Sequence, residues 1–462
     1  MLYVLIRRRT AFLKFSNQAR FKGAAVLREI ELGQLTYAVV FVGAFVLFGA
    51  LVLKNQRRMV SGSDFSVAGR SLSATQVSWV IIGTLVGGVS TIGTVQSAYD
   101  HGISAWIFTL GSGISCFILG CFFATALRRE QVTTVSELLG KYFGTTFQYY
   151  CSMLNSCGMF IHIIAQYLAA MAILTSVFHF PLPVSLLITM VLMGFFVISG
   201  GISGAGMVGK IKFFLLYAIM IICTVIALVK GQGLGNILSQ LPKDTDFLNF
   251  FSNGFGPTTI DIVSMVTGVL STQIYLQAIF SAKTIKEARN GAFLTAIVIP
   301  PIGILGIIVG LFLRANCPEL EGQSAQALPF FFQYTLPPAL AAFCSAVLLL
   351  AVLGTGAGLV LGVTTNVYMD GIRHLFKKEP VHSLAIVRLC TLAVLILSGG
   401  VVMAGFSTTI LHWSYLSMGF RGAAVFVGLC IVVFTRRQKY SAMIRGGLYI
   451  LPVCYFILAI FL

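Results

Sequence analysis

The chain has 462 residues, of which 57% are hydrophobic and only 10% charged, with a mean hydropathy of +0.93. A water-soluble globular protein of this composition would expose far more apolar surface than water tolerates, so a polytopic membrane protein is expected. The net charge of +17 invites a phosphate-binding reading, but the basic residues are spread loop by loop rather than gathered in a patch, which argues against nucleic acid as a partner.

A spanning helix needs roughly 20 apolar residues. Taken in chain order, the apolar blocks predict about twelve spans: 34–53, 74–99, 103–127, 146–177, 182–202, 210–230, 259–281, 289–314, 338–366, 384–405, 408–435 and 442–462. The chain therefore reads as a basic extension over 1–33 followed by a single transmembrane domain over 34–462. The extension carries Arg7, Arg8, Arg9, Lys14, Arg20, Lys22 and Arg28 with no acid until Glu29. It reads as a poorly ordered tail, as an Arg-rich targeting leader, or as a segment that stays inside while 34–53 does not span.

Basic residues cluster in alternate loops: Lys54, Arg57, Arg58 and Arg70; Arg128, Arg129 and Lys141; Lys210 and Lys212; Lys283, Lys286 and Arg289; Arg373, Lys377 and Lys378; and Arg436, Arg437, Lys439 and Arg445. The intervening loops hold acid, with Asp244, Asp246, Glu319 and Glu321. This alternation is the positive-inside pattern and predicts that the basic loops are cytoplasmic, in a plasma or inner membrane. Nine of the ten Cys fall in apolar spans and read as small packing residues; Cys317 alone falls in an outer loop.

Spans two to six (about 74–230) and seven to eleven (about 259–435) hold five helices each. Five is odd, so the two halves must run through the membrane in opposite senses, a common build for secondary transporters. The first helix of each half carries the breakers. Span two reads Gly83-Thr84-Leu85-Val86-Gly87-Gly88-Val89-Ser90, and span seven reads Thr267-Gly268-Val269-Leu270-Ser271-Thr272-Gln273. Glycine costs ~1 kcal/mol in a helix interior, and unwound backbone survives at membrane depth only beside protein or an aqueous cavity. Such glycines also serve close helix packing; their recurrence at equivalent positions favours a broken pair.

Several stretches in order resemble the sodium:solute symporter family. They are Phe65-Ser66-Val67-Ala68-Gly69-Arg70, Thr134-Val135-Ser136-Glu137-Leu138-Leu139 with Phe143-Gly144, Gly200-Gly201, Ala282-Lys283-Thr284-Ile285-Lys286-Glu287-Ala288-Arg289, and Ala327-Leu328-Pro329. The resemblance implies an all-α, LeuT-type core of five plus five inverted-repeat helices, with one extra helix before it and one after. It further implies alternating access, sodium as the coupling ion without an organic cofactor, and a functional monomer in the lipid bilayer. Sodium would be held by the carbonyls of Gly83, Val86 and Ala351 and the hydroxyl of Thr355. Where the family has two adjacent hydroxyls this chain has Gly354-Thr355, so one oxygen is missing. A second sodium position in some members needs an Asp that here is Gly209, beside Lys210, so no second sodium is expected.

By the same resemblance the solute would meet Gly87, Gly88, Val89 and Ser90, then Trp106 and Phe108, and finally Ser271, Thr272, Gln273 and Gln277. A half-helix N-terminus facing an unwound segment favours an anionic group, so the small organic solute suits a carboxylate. His162, with Gln166 one turn on, reads as a proton relay or an interhelical hydrogen bond. Arg421 reads as a solute partner or a structural residue. Asp100-His101 and Asp261 read as helix-end residues, and Trp79 and Trp413 as interfacial or packing aromatics. No nucleophile–base pair, metal cluster or phosphate loop points to an enzyme. The expected function is sodium-coupled symport of a small organic solute. The alternatives are a proton-coupled or uncoupled carrier of the same fold, and a non-transporting membrane sensor or scaffold.

Overall fold

The computed structural model describes residues 36–47, 50, 68–178, 180–243, 245–372, 383–404, 410–435, 440 and 442–461. The basic extension, Phe65–Val67, Lys54, Arg57, Arg58, Asp244, Arg373, Lys377, Lys378, Arg436, Arg437 and Lys439 lie outside the described residues.

Helix α1 (Thr36–Leu47) precedes the core. α2 (Ala74–Leu85) and α3 (Thr94–His101) are halves of one interrupted span, joined by a bend at Val86-Gly87 and a wide turn over Val89–Gly93. α4 (Trp106–Ile118) continues through another wide turn into α5 (Ala124–Arg129). Next come α6 (Val135–Phe143), α7 (Thr145–Phe178), α8 (Leu182–Lys230) and the short α9 (Leu234–Ser239). The second interrupted span is α10 (Phe255–Val269) with α11 (Gln273–Phe280). The chain ends with α12 (Ile285–Asn316), α13 (Ala327–Thr335), α14 (Pro338–Asn366), α15 (Ser383–Met403), α16 (Ile410–Thr435) and α17 (Ala442–Phe461).

Among the described residues, 8 helical stretches are long and apolar enough to cross a membrane, and four shorter apolar helices accompany them. One expected boundary is absent. Spans 182–202 and 210–230 are not separated by a loop but belong to the single helix α8, because backbone hydrogen bonding persists through the glycine-rich middle. Its two ends remain distinct apolar segments, Leu182–Ile198 and Gly209–Lys230.

Two of the sequence motifs prove to be helix caps. Thr134 Oγ1 accepts from Glu137 N at 2.9 Å, and Thr284 Oγ1 accepts from Glu287 N at 3.2 Å, so the T-x-x-E pattern satisfies the first amides of α6 and α12. α2 starts likewise, with Ser73 and Gln76 exchanging hydrogen bonds of 3.4 and 2.9 Å.

α14 is the axis of the bundle: every residue from Cys344 to Asn366 is buried, among α2, α7, α8 and α15. Large apolar side chains face outward instead, with Val229 72% and Ile297 74% exposed. That inside-out pattern is expected where lipid replaces water as the outer solvent.

Candidate functional site

The first break forms because the amides that should continue α2 find other partners. In an unbroken helix Gly87 N–H would bond Gly83 O; here it donates to Ser90 Oγ at 2.8 Å. Thr91 Oγ1 donates to Gly87 O at 2.6 Å, and Thr91 N to the same oxygen at 3.1 Å, restarting the helix beyond the bend. The glycines serve close approach as well: a Cβ on Gly87 would lie 1.9 Å from Thr355 Oγ1, and one on Gly88 2.6 Å from Ala169 Cβ. The packing and helix-breaking readings of this stretch are therefore both realised.

Span seven breaks at Leu270–Thr272, just after Gly268. Ser271 and Thr272 return their hydroxyls to Thr267 O and Gly268 O at 2.7 and 2.6 Å, and Asn155 Nδ2 donates to the freed Ser271 O at 2.6 Å. α2 packs against α11, and Ser97 and Asp100 at the far end of α3 share a cavity with Thr258 and Asp261 at the start of α10. The two interrupted spans thus run antiparallel.

The four residues expected to hold sodium converge. Thr355 Oγ1 lies 3.3 Å from Val86 O and 3.5 Å from Gly83 O. A basic side chain from the chain itself sits with them: Lys212 Nζ, fully buried, donates to Ala351 O at 2.9 Å and to Thr355 Oγ1 at 2.7 Å. Among the described residues no carboxylate pairs with Lys212. This corrects the sequence reading, in which Lys210 and Lys212 were one cytoplasmic cluster. Lys210 is exposed, its ammonium 4.9 Å from the Trp79 ring, whereas Lys212 points into the core. Two residues along a helix are turned about 200° from each other, so both could not face the same way; that was the signal available in the sequence.

Of the residues expected to meet solute, Gly87 to Ser90 lie at the first break and Ser271 to Gln273 at the second, with Gln277 one turn beyond, whereas Trp106 and Phe108 lie on α4, outside both breaks. Gly87, Gly88, Val89, Ser90, Phe108, Ser271, Thr272, Gln273 and Gln277 are buried, and Trp106 is half-buried. Gln273 is engaged with the α6 cap, accepting from Val135 N at 3.0 Å and donating to Thr133 O at 3.1 Å. Gln277 Nε2 is 3.4 Å from Thr365 Oγ1, and Trp106 Nε1 donates to Pro300 O at 3.1 Å.

Next to them is a polar group of residues that sequence reasoning did not assemble. Arg421 is fully buried; its Nη2 lies 3.2 Å from His162 Nδ1 and donates to Ser417 Oγ at 3.0 Å. Arg421 Nη1, His162 Nε2, both amide atoms of Gln166 and the Tyr275 hydroxyl have no hydrogen-bond partner. A Cβ on Gly88 would lie 3.2 Å from Gln166 Oε1, which places that amide against the first break.

A cavity of about 420 Å³ reaches inward from one end between α3, α4, α10 and α16. Exposed Asn253 and His412 stand at its rim, and Tyr415, its ring 6.1 Å from that of Phe108, lies at its wall. The opposite end is closed. There Leu72 N donates to Ser281 O at 3.0 Å and Lys283 N to Leu72 O at 2.8 Å, Arg128 Nε bonds Ala282 O at 2.6 Å, and Ala74 N bonds Glu287. Asp370 Oδ1 adds to this closure by accepting from Thr134 Oγ1 at 2.8 Å and Gln148 Nε2 at 3.2 Å.

A helical membrane protein open toward one face, sealed at the other and hinged on two antiparallel broken spans has the build of a secondary active transporter. The sequence carries the assignment further: the model of the sodium:solute symporter family matches residues 65–449, and the chain belongs to that family. Its class is secondary active, sodium-coupled solute transport. The chain is 23% identical over 431 residues to the uncharacterized symporter YwcA of Bacillus subtilis (strain 168), covering 88% of this chain and 83% of that one. It is 22% identical to sodium-coupled monocarboxylate transporter 2 of Bos taurus and 23% identical to high-affinity choline transporter 1 of Drosophila melanogaster. It spans 58% of the length of each, with 74% and 73% of its own residues aligned. In fold it is similar to a Na+-coupled sialic acid symporter solved in a substrate-bound outward-open state. That match has a TM-score of 0.73 at 15% identity, over 92% of this chain and 96% of the other. The nucleobase-cation-symport-1 family transporter MHP1 matches with a TM-score of 0.60 at 14% identity, over 84% of each chain.

Proposed function

We propose that this chain carries a small organic carboxylate across the membrane by alternating access, with the solute seated beside the first break. The observation that carries this reading is Arg421, a fully buried guanidinium with an unpartnered Nη1. Placing an unpaired charge in a dry interior is costly, and a carboxylate solute supplies the missing anion. His162 Nε2, the Tyr275 hydroxyl and the Gln166 amide stand ready to complete its hydrogen bonding. The monocarboxylate relative is in keeping with that choice; a quaternary ammonium such as choline would instead meet the like charge of Arg421.

In this reading Gly87, Gly88, Val89 and Ser90 form the wall of the solute position, with Phe108 covering it from the cavity side. Ser271, Thr272, Gln273 and Gln277 couple it to the sealed end. Counting the two apolar ends of α8, Leu182–Ile198 and Gly209–Lys230, as separate spans, the twelve spans divide into five-helix halves of opposite sense, about 74–230 and 259–435, within one domain over 34–462. The basic loops lie in the cytoplasm, so the cavity faces outward, and a monomer suffices. Sodium is the coupling ion of the class.

Solute counterflow tests the reading. Purified protein in liposomes preloaded with a short-chain monocarboxylate should exchange it for external radiolabelled solute. Arg421→Ala should abolish exchange while leaving the protein monodisperse. Exchange at an unaltered rate in Arg421→Ala would remove the carboxylate assignment.

A further inference from the structure

We propose that the ammonium of Lys212 is the resident cation at the junction of α2, α8 and α14, and that it and a sodium ion exclude one another there. The inference goes beyond the solute reading and does not depend on which solute is carried. Lys212 Nζ already takes the contacts of a bound cation, at 2.9 Å from Ala351 O and 2.7 Å from Thr355 Oγ1. Through Thr355 Oγ1 it connects to Val86 O and Gly83 O, the remaining two oxygens expected around sodium. With the lysine in place, the donor set does not fit a metal ion.

Three independent features of the chain support a built arrangement. First, Gly209 lets α8 come close to α2: a Cβ there would lie 2.0 Å from Trp79 O and 2.9 Å from Gly83 Cα. That contact, three residues before Lys212, fixes the depth to which the lysine reaches. Second, among the described residues no carboxylate neutralises Lys212, so its charge rests on carbonyl and hydroxyl dipoles, the same groups that would stabilise sodium. Third, the hydroxyl missing at Gly354 matters less to this occupant. A hard metal ion seeks a full shell of oxygens, whereas an ammonium has three N–H groups to satisfy, two of which Ala351 O and Thr355 Oγ1 accept.

The consequence is a tethered cation that stitches α8 to α14 and, through Thr355, to the carbonyl end of α2. Sodium can reach these oxygens only after the lysine side chain has withdrawn.

Radiolabelled sodium binding to the purified full-length protein tests this, comparing wild type, Lys212→Ala and Lys212→Ala/Thr355→Ala against choline chloride as the inert salt. Removing the tethered charge should tighten saturable sodium binding by about tenfold or more, and the added Thr355→Ala should abolish that gain. Lys212→Met, which keeps an unbranched apolar stem, provides the same comparison should the alanine variant not fold. Sodium binding as tight in wild type as in the Lys212 variants, or weaker in the variants, would overturn the proposal. Counterflow separates the two readings. Tightened sodium binding without wild-type counterflow overturns only the solute assignment, and counterflow with unchanged sodium binding overturns only this one.

Discussion

Gly209 and Trp79 are in direct backbone contact, so close that a Cβ on Gly209 would lie 2.0 Å from Trp79 O. This contact joins α8 to α2 just below the break and places Lys212 at the carbonyls that the break releases.

Gly209→Ala should separate the two helices. Overpacking of this kind costs typically ~1–3 kcal/mol, so the apparent melting temperature in detergent should fall. Saturable sodium binding should tighten, as expected for Lys212→Ala, because Lys212 no longer reaches Ala351 O and Thr355 Oγ1. Unchanged melting and sodium binding would mean that the two helices separate freely at this point.

Thr355→Ala removes one of the two acceptors that Lys212 uses. A hydrogen bond to a charged group contributes ~1.5–3 kcal/mol, and thermal unfolding should show a loss of that order. Thr355→Ser, which retains the oxygen, should recover most of it. Failure of serine to rescue would indicate that the methyl group, rather than the hydroxyl, matters here.

Arg421→Lys keeps the charge but loses the planar fork that binds carboxylate with two parallel hydrogen bonds. Solute affinity in a counterflow titration should drop by roughly ten- to hundredfold, the equivalent of ~1.5–3 kcal/mol. The change should act on affinity rather than on expression, and an unchanged affinity would reassign Arg421 to packing.

Asp370→Ala removes the acceptor shared by Thr134 and Gln148 and loosens the cap of α6 against the end of α14. The sealed end should open more often. A cysteine placed at Val132, which is buried in this conformation, should then react faster with a water-soluble maleimide than it does with Asp370 intact. Equal reaction rates would show that the Leu72, Ala74 and Arg128 contacts hold the seal without Asp370.

Much of this architecture is local and could be read directly. The Gly87-Gly88 pair and the Gly268-to-Thr272 run interrupt their helices because glycine and nearby hydroxyls offer the backbone alternatives within one turn. The T-x-x-E motifs cap α6 and α12 for the same reason, and span α14 has the expected limits, Pro338–Asn366. The expected sodium ligands also meet, since each lies at a break or on the enclosed axis.

The occupant of that meeting point was not legible. In sequence Lys212 is one of two lysines at the edge of an apolar block, and the positive-inside pattern absorbs both. Likewise His162, Gln166, Tyr275 and Arg421 come from three helices far apart in the chain. Helix caps and breaks are favoured by residues within four or five positions of themselves, so the sequence by itself pointed to them. Whether a charge is solvated or buried depends on the oxygens facing it. For Lys212 those oxygens are on α14, about 140 residues away, and only the close packing of α8 on α2 brought them within reach.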